Sequence, residues 1–565
     1  MQRLHTIVPL ALALPLGCLV FLGACSDDEV SGDGADETAD TGDAAEGGDG
    51  DGDGDGDEGP ADFGPVRGDL QITGIEVSQT LVQPLFENGV EVAPQAYGIP
   101  LIKNRYTIFR ALWSTPEGWT PRPLLARLQI ELPDGTVAEF VDYQTSTGTP
   151  TVVESSSTAS NLFSSFFWRL DPEYVVPGMR YQISIWEAEP ADTIPESSVG
   201  NVYPASPAAI EVQPEDSRIR IALVGVRYNA NGCESDTTTL PEDEFEALRA
   251  GFEAWNGVQT DGVIIDTGLS VDIDYGLSSV QNLLGLVGQI RGQYAEEIPD
   301  AFFYILWDDC SPYPNGILGI APVNNDPPQI GDAGTRYGAG LWNPNDVRES
   351  VNTAVHEIGH NQGAPHAPCG VGGGADPAYP HAGASIGIRG LDPYDGQMYS
   401  PNNYTDFMSY CRPYWVSDYR WGKSFNHQKI ITSWSAGDMV ADAPTIEGYV
   451  GAVLVGIVYP DGGGEPQWWI NTRKTPPEVS VAGELQVELE LGGASTPMAS
   501  RVKDLPDLPG AKLIEVPLTQ GMDADTITGI RVRGAAVDIV QASPAIQDHR
   551  GLKVHGKPFA TVTTK

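Results

Sequence analysis

The spacing of apolar residues changes twice along this 565-residue chain, and the change limits the folds open to it. Between residues 64 and 214, short runs alternate apolar and polar residues with a period of two, which is typical of half-buried strands. From residue 218 apolar strands alternate with helical spacing, and after about residue 445 short strands return. We therefore predict a multidomain α/β plus all-β protein: an α/β layer at 216–442, flanked by antiparallel β-sandwiches at 63–215 and 443–565.

The first 25 residues have the layout of an export signal, with Arg3 near the start, an apolar stretch and then small residues. The ending Leu22-Gly23-Ala24-Cys25 resembles the lipobox of bacterial lipoproteins. That resemblance implies cleavage before Cys25, lipidation of its thiol and anchorage to the bacterial cell envelope, at the outer membrane or the cell surface. A cleaved signal followed by a chance cysteine is the alternative.

Residues 26–62 consist almost entirely of Asp, Glu, Gly, Ala, Ser and Thr, without Lys or Arg. Like charges and glycines bury little apolar area, so we predict a disordered, self-repelling tether. Its Asp-Gly run is also compatible with calcium binding. Across the whole chain 77 acidic residues outnumber 32 basic ones, giving a net charge of -45. This charge argues against a nucleic-acid partner, because binding phosphates requires clustered cations.

A helix predicted over 346–361 carries the run His356-Glu357-Ile358-Gly359-His360. Histidines four residues apart share one helix face and can bind one zinc ion. Gly363 and Pro365 should end the helix, and the returning chain can then present His366 as a third ligand. Three protein ligands leave one position for water, as in catalytic zinc sites.

The motif through His366 resembles that of the metzincin clan of zinc endopeptidases. The resemblance implies zinc bound by the three histidines and Glu357 as general base and proton shuttle. It also implies a methionine turn, for which Met408 is the candidate. Tyr410 stands where astacin-like and serralysin-like enzymes place a zinc-ligating or oxyanion-stabilising tyrosine, although Asp406 replaces a residue that is often small there. Packing beneath the site is the alternative for Tyr410.

Two narrower expectations follow from the same resemblance. The stretch from residue 367 to 411 is more similar to secreted bacterial metzincins, including the mucin-degrading StcE-like group, than to animal matrix enzymes. Metzincins also pair extended substrate with an edge strand before the active helix. Gly340, Leu341 and Trp342 are the candidates for that strand, and an ordinary buried strand is the alternative.

Four cysteines remain after the predicted signal, and four cysteines allow three disulfide pairings. We predict Cys369 with Cys411, closing the loop between the third histidine and the methionine turn, and Cys233 with Cys310. A structural zinc held by these four is disfavoured, because no two have C-x-x-C spacing.

Two other features of the sequence are compatible with ligand sites. The acidic loop over 324–332 is compatible with a structural calcium ion, although a solvated loop is the simpler interpretation. Trp468 and Trp469 are compatible with a sugar-stacking platform, but core packing of at least one of them is favoured.

The leading functional hypothesis is a zinc endopeptidase, tethered to a membrane by lipid, acting as a monomer on extracellular or envelope proteins and glycoproteins. The main alternative is a surface binding or adhesion protein with a vestigial metalloprotease module. Zinc-dependent hydrolysis of a non-peptide bond is a third option, since the motif does not specify the bond.

Overall fold

The computed structural model describes residues 66–559, apart from residues 88, 143–149, 189–201, 278, 311–315, 373, 436, 442, 482 and 536. Strands outnumber helices, and they are divided among several sheets. The predicted signal, the tether and Cys25 lie outside the described residues. No helix in the described ranges is long and apolar enough to cross a lipid bilayer.

The first region consists of two antiparallel sheets packed face to face, with strand orders β3-β2-β1-β5-β9 and β11-β10-β6-β7. Alternating side chains such as Ile75, Phe109, Leu128 and Ile183 fill the core between them. The strands are β1 (Gln71–Ser78), β2 (Val82–Glu87), β3 (Val90–Glu91), β4 (Leu101–Ile102), β5 (Thr107–Ser114), β6 (Arg122–Glu131), β7 (Val137–Val141), β8 (Thr151–Val153), β9 (Phe166–Leu170), β10 (Arg180–Glu187), β11 (Val202–Ala209) and β12 (Val212–Gln213).

The middle region is built on a mixed sheet of order β17-β18-β16-β13-β15-β32, in which β13, β15, β16 and β18 run parallel. Its strands are β13 (Ile219–Ala230), β14 (Cys233–Asp236), β15 (Val263–Ile273), β16 (Ala301–Trp307), β17 (Gly319–Ile320), β18 (Tyr337–Leu341), β19 (Gly390–Leu391), β20 (Met398–Tyr399), β21 (Thr405–Asp406) and β22 (Tyr414–Trp415). Its helices are α1 (Glu242–Trp255), α2 (Val280–Tyr294), α3 (Val347–Asn361), α4 (Asp418–Thr432) and α5 (Asp438–Ala441).

Both faces of the mixed sheet are covered. Ile219, Ile221 and Leu223 of β13 contribute to a core shared with α1, α3 and α4. The alternate residues Ala222 and Val224 face a second core shared with α2. Because both faces are buried, β16 can be apolar throughout, and all seven of its residues are buried.

The last region again consists of two antiparallel sheets, of orders β27-β28-β23-β24-β31 and β26-β25-β29-β30. In the first of these, β31 alone joins its neighbour in parallel. The strands are β23 (Tyr449–Val458), β24 (Gln467–Thr472), β25 (Gln486–Leu491), β26 (Ala494–Met498), β27 (Arg501–Asp504), β28 (Lys512–Thr519), β29 (Ile527–Gly534), β30 (Val537–Ala542), β31 (Ile546–Asp548) and β32 (Val554–His555).

The last region is joined closely to the middle one. Val453, Trp469 and Leu513 pack into the core that contains α2. The strand β32 pairs with β15 and so belongs to the middle sheet. Both tryptophans of the 468–469 pair are buried, as core packing requires.

The predicted edge strand lies one position inside the sheet edge. Gly340 pairs with Gly319, so the edge strand is β17 and not the strand that holds Gly340 and Leu341. Trp342 follows the end of β18, is buried, and donates its indole N–H to Glu244. With only two residues, β17 is too short to show a period in the sequence.

Candidate metal centre

The helix α3 begins and ends where its sequence predicts. Asp346 caps it, since its side chain accepts a hydrogen bond from the backbone N–H of Glu349 at 3.2 Å. The helix ends at Asn361, and Gly363 follows with a left-handed φ of +80°. A Cβ on Gly363 would lie 2.7 Å from Cβ of Asp326, so the turn requires glycine for space as well as conformation. This turn returns the chain so that His366 faces the helix.

The three predicted histidines meet at one point. The Nε2 atoms of His356 and His366 are 3.2 Å apart. The ring centre of His360 lies 4.8 Å from that of each of the other two. All three imidazoles are buried, so they face one another in a place from which water is largely excluded.

Backbone carbonyls fix the tautomers of two of these rings. Nδ1 of His356 lies 2.9 Å from the carbonyl oxygen of Phe407, and Nδ1 of His360 lies 2.6 Å from that of Ala364. A carbonyl only accepts, so each Nδ1 is the donor and a neutral ring presents an unprotonated Nε2 to the centre. Burial favours the neutral form of two rings of the cluster: it lowers the pKa of His360 to about 4 and also lowers that of His366.

A fourth group, absent from the sequence predictions, completes the cluster. Asp507 lies in the loop between β27 and β28 of the last region, and its side chain is 6% exposed. Its Oδ1 is 3.1 Å from Nε2 of His366 and 3.5 Å from Nε2 of His356, while its Oδ2 is 3.2 Å from Nε2 of His360. Burial works to raise the pKa of Asp507, but positive charge placed on the imidazoles, on His360 first, outweighs burial and holds that pKa well below its usual range.

These donor atoms suit a divalent metal ion such as zinc. Tetrahedral zinc bound at about 2.0–2.1 Å places its nitrogen and oxygen ligands about 3.3–3.4 Å apart, close to the separations found here. Nε2 of His360 and Oδ2 of Asp507 are buried without a hydrogen-bond partner in the described structure. Neutral imidazole lone pairs directed at an ionised carboxylate lack a positive charge between them, and a cation would supply it.

Glu357 lies beside the cluster without joining it. The residue is buried, and its Oε2 has no hydrogen-bond partner in the described part of the chain. Burial, followed by the charge of Asp507, raises the pKa of Glu357 well above its usual value. The edge strand passes directly over it, since a Cβ on Gly319 would lie 2.4 Å from Oε1 of Glu357.

Met408, the candidate for the methionine turn, packs under the histidine-bearing helix. It is completely buried, and a Cβ on Gly359 would lie 2.5 Å from its sulfur. Asp406 holds the turn: its carboxylate accepts the backbone N–H groups of Met408 at 2.9 Å and Ser417 at 3.1 Å. The acidic residue that departs from the metzincin pattern is therefore a scaffold for the turn.

Tyr410 lies at the mouth of the cluster. Its ring centre is 4.7 Å from that of His366, and its hydroxyl donates to Oδ1 of Asp507 at 2.8 Å. The side chain is 45% exposed, so it is not packed beneath the site. Both predicted disulfides, Cys233–Cys310 and Cys369–Cys411, are confirmed, and the second one adjoins Tyr410.

The acidic loop proposed for calcium is already neutralised. Asp326 pairs with Lys423 and Asp332 with Lys503, each at 2.8 Å. These lysines remove the reason for expecting a cation in that loop. The Asp-Gly run of the tether lies outside the described residues.

Comparison with known proteins does not assign the chain to a family. No model of a known protein family matches it, and no curated protein matches it either.

Proposed function

We propose that this chain is a zinc-dependent endopeptidase that hydrolyses peptide bonds in extracellular or envelope proteins and glycoproteins. In this proposal the middle region is a metzincin-like α/β catalytic unit between two β-sandwiches, and lipidated Cys25 attaches the exported protein to the bacterial envelope. The observation that carries the proposal is the convergence of three buried imidazoles beside Glu357, a buried carboxyl group whose Oε2 has no hydrogen-bond partner in the described structure. A ligand triad with an adjacent base is what metal-assisted hydrolysis requires.

His356, His360 and His366 would hold the zinc ion, which when bound lowers the pKa of water and polarises a carbonyl group. Glu357 accepts the proton of the attacking water and delivers it to the departing amine. The Tyr410 hydroxyl lies at the mouth of the histidine cluster, and this O–H group can donate a hydrogen bond to the carbonyl oxygen of the peptide under attack.

The strand β17 is the element best placed to align a peptide substrate. An unpaired sheet edge offers backbone N–H and C=O groups to an extended chain. Because Gly319 of β17 lies against Glu357, a peptide paired along this edge would pass next to the base. The substrate-pairing role expected for Gly340 and Leu341 therefore moves to the neighbouring strand.

One observation favours the alternative of a binding protein with an inactive metal site. Three histidines with Asp507 form a set of four protein ligands, the number typical of structural zinc. In that case the two sandwiches would make the functional contacts, and Glu357 would have no chemical role.

The substitution Glu357→Gln tests the proposal. We expect the variant to retain zinc by elemental analysis but to hydrolyse fluorescent casein about 10²- to 10⁴-fold more slowly, the usual effect of losing a general base. Glu349→Gln is the matched control: Glu349 lies in the same helix but pairs with Arg412, away from the cluster. A zinc chelator should abolish the activity of the parent chain. Equal proteolysis by the Glu357→Gln variant and the parent would refute the role of Glu357.

A further inference from the structure

The loop between β27 and β28, residues 505–511, enters the metal centre from a different sandwich. Leu505 and Leu508 of this loop are buried in the core shared by the middle sheet and the last region. Between them Asp507 points to the three histidines. Pro506 and Pro509 flank these positions and restrict the backbone of the loop. The last region thus supplies both a charged group at the cluster and the apolar contacts that hold it there.

The last residue of β27, which leads into this loop, contacts the chain close to the proposed substrate edge. The backbone N–H of Val323, just beyond the edge strand β17, donates to the carbonyl oxygen of Asp504 at 3.0 Å. Tyr410, the donor available for a substrate carbonyl, instead donates to Asp507. With the loop in place, Asp507 lies at the metal position and the Tyr410 hydroxyl at its mouth is bound to that carboxylate.

We propose that Asp507 and its loop form an internal inhibitor, which closes the metal centre by supplying the fourth ligand. This inference rests on the proposed function. A catalytic zinc site needs a position free for water, and four protein ligands leave none. The chain is then folded but inactive until the loop 505–511 leaves the cluster. Glu357 favours this inference over a structural site, since a permanent four-ligand site has no use for a buried carboxyl group whose Oε2 lacks a hydrogen-bond partner in the described structure.

The closure can be measured without any protein substrate. Acetohydroxamate binds accessible zinc, so its dissociation constant, measured by calorimetry on the whole chain loaded with zinc, reports whether the metal has a free position. If the loop is closed in about nine of ten molecules, removing it should tighten hydroxamate binding about tenfold, because apparent affinity scales with the open fraction. We expect that gain, or a larger one, in Asp507→Ala, together with faster zinc transfer to a chromophoric chelator.

Two further variants test the closure in case Asp507→Ala does not fold. Asp507→Asn keeps the shape of the side chain but removes its charge, and Tyr410→Phe removes only the hydroxyl that holds the carboxylate. Both should bind hydroxamate more tightly than the parent chain. Asp525→Ala, which removes an exposed carboxylate of the same sandwich, should leave the dissociation constant unchanged.

The outcomes separate this inference from the proposed function. Zinc bound in every variant with unchanged hydroxamate affinity overturns the closure and leaves the endopeptidase proposal standing. Loss of zinc from Asp507→Ala without any gain in hydroxamate binding identifies Asp507 as a permanent ligand and also overturns the closure. Tighter hydroxamate binding without casein hydrolysis supports the closure but contradicts peptide-bond cleavage. No zinc in the parent chain refutes both.

Discussion

Replacing Gly359 with Ala tests whether Met408 supports the metal centre by direct contact with α3. The added Cβ would lie 2.5 Å from the Met408 sulfur and 3.3 Å from the Phe407 ring, whereas unstrained carbon contacts lie at about 3.5–4.0 Å. Met408 is completely buried, so it has little space in which to retreat. Overpacking of this kind costs about 1–3 kcal/mol, while alanine in place of glycine gains about 1 kcal/mol in a helix. We expect a net loss of about 0–2 kcal/mol.

Gly422→Ala is the matched control, because Gly422 lies within α4 and a Cβ there meets no atom within 4 Å. This variant should gain about 1 kcal/mol from helix propensity alone. Both helices contribute to one hydrophobic core, so the same thermal transition should report both changes. At about 2–4 °C per kcal/mol for a domain of this size, the two midpoints should differ by roughly 5 °C. If the midpoint of thermal unfolding of the Gly359→Ala variant equals or exceeds that of Gly422→Ala, contact with Met408 does not restrict the side chain at position 359.

The Gly359 variant should also weaken metal binding. The chain that carries Met408 also supplies the Phe407 carbonyl, which fixes the tautomer of His356. Displacing the turn disturbs that bond, and losing such a supporting partner typically lowers metal affinity about 10- to 100-fold. Competition for zinc with a chelator of known affinity measures the change, and Gly422→Ala should behave as the parent chain does.

Two further predictions concern stability. Replacing Cys369 and Cys411 with Ser should cost about 4 kcal/mol, the chain-entropy value for a separation of 42 residues, and should lower the midpoint of thermal unfolding relative to the parent chain; an unchanged midpoint would contradict this. Burial raises the pKa of Asp142 to about 7, and its carboxyl group contacts the Thr151 hydroxyl. The folded chain therefore keeps a proton that the unfolded chain releases, so stability should fall as the pH rises from about 4 to 7. Asp142→Asn should flatten the dependence of urea-unfolding stability on pH across that range, and an equal slope in both proteins would contradict the assignment.

Local sequence rules were sufficient for the part of the site built from one stretch of chain. The cap at Asp346, the glycine at 363 and the four-residue spacing of His356 and His360 each depend on neighbours within a few residues. A helix period and a glycine terminator are properties of the backbone itself, so they can be predicted without knowledge of the tertiary structure. The disulfide from Cys369 to Cys411 followed because it closes the loop that this helix begins.

Asp507 could not be found in the same way. It lies 141 residues after His366, and its neighbours, Leu505 to Gly510, contain no second ligand at a metal-binding spacing. What brings it to the histidines is the docking of one sheet on another, which no short pattern encodes. The available signal was weak: an acidic residue between two leucines and two prolines, a segment too apolar for an exposed loop.

The sequence of α2 contains a feature that depends on the docking that places Asp507. This helix contains Gly285, Gly288 and Gly292, although each glycine costs a helix about 1 kcal/mol relative to alanine. The structure shows what they permit: a Cβ would lie 2.9 Å from the Trp469 ring at Gly285 and 2.2 Å from the Thr472 carbonyl oxygen at Gly292.

The helix and β24 can approach this closely only without side chains at those positions. The last sandwich is therefore fixed to the middle sheet by interlocked backbone and not by a flexible linker. Leu505 and Leu508 of the loop 505–511 lie in the core formed at this interface, so the position of Asp507 depends on it. Gly285→Ala should accordingly destabilise the fold and loosen Asp507 together, tightening hydroxamate binding in proportion to the fall in thermal midpoint. An unchanged hydroxamate dissociation constant in a destabilised Gly285→Ala variant would show that the loop is held independently of the interface.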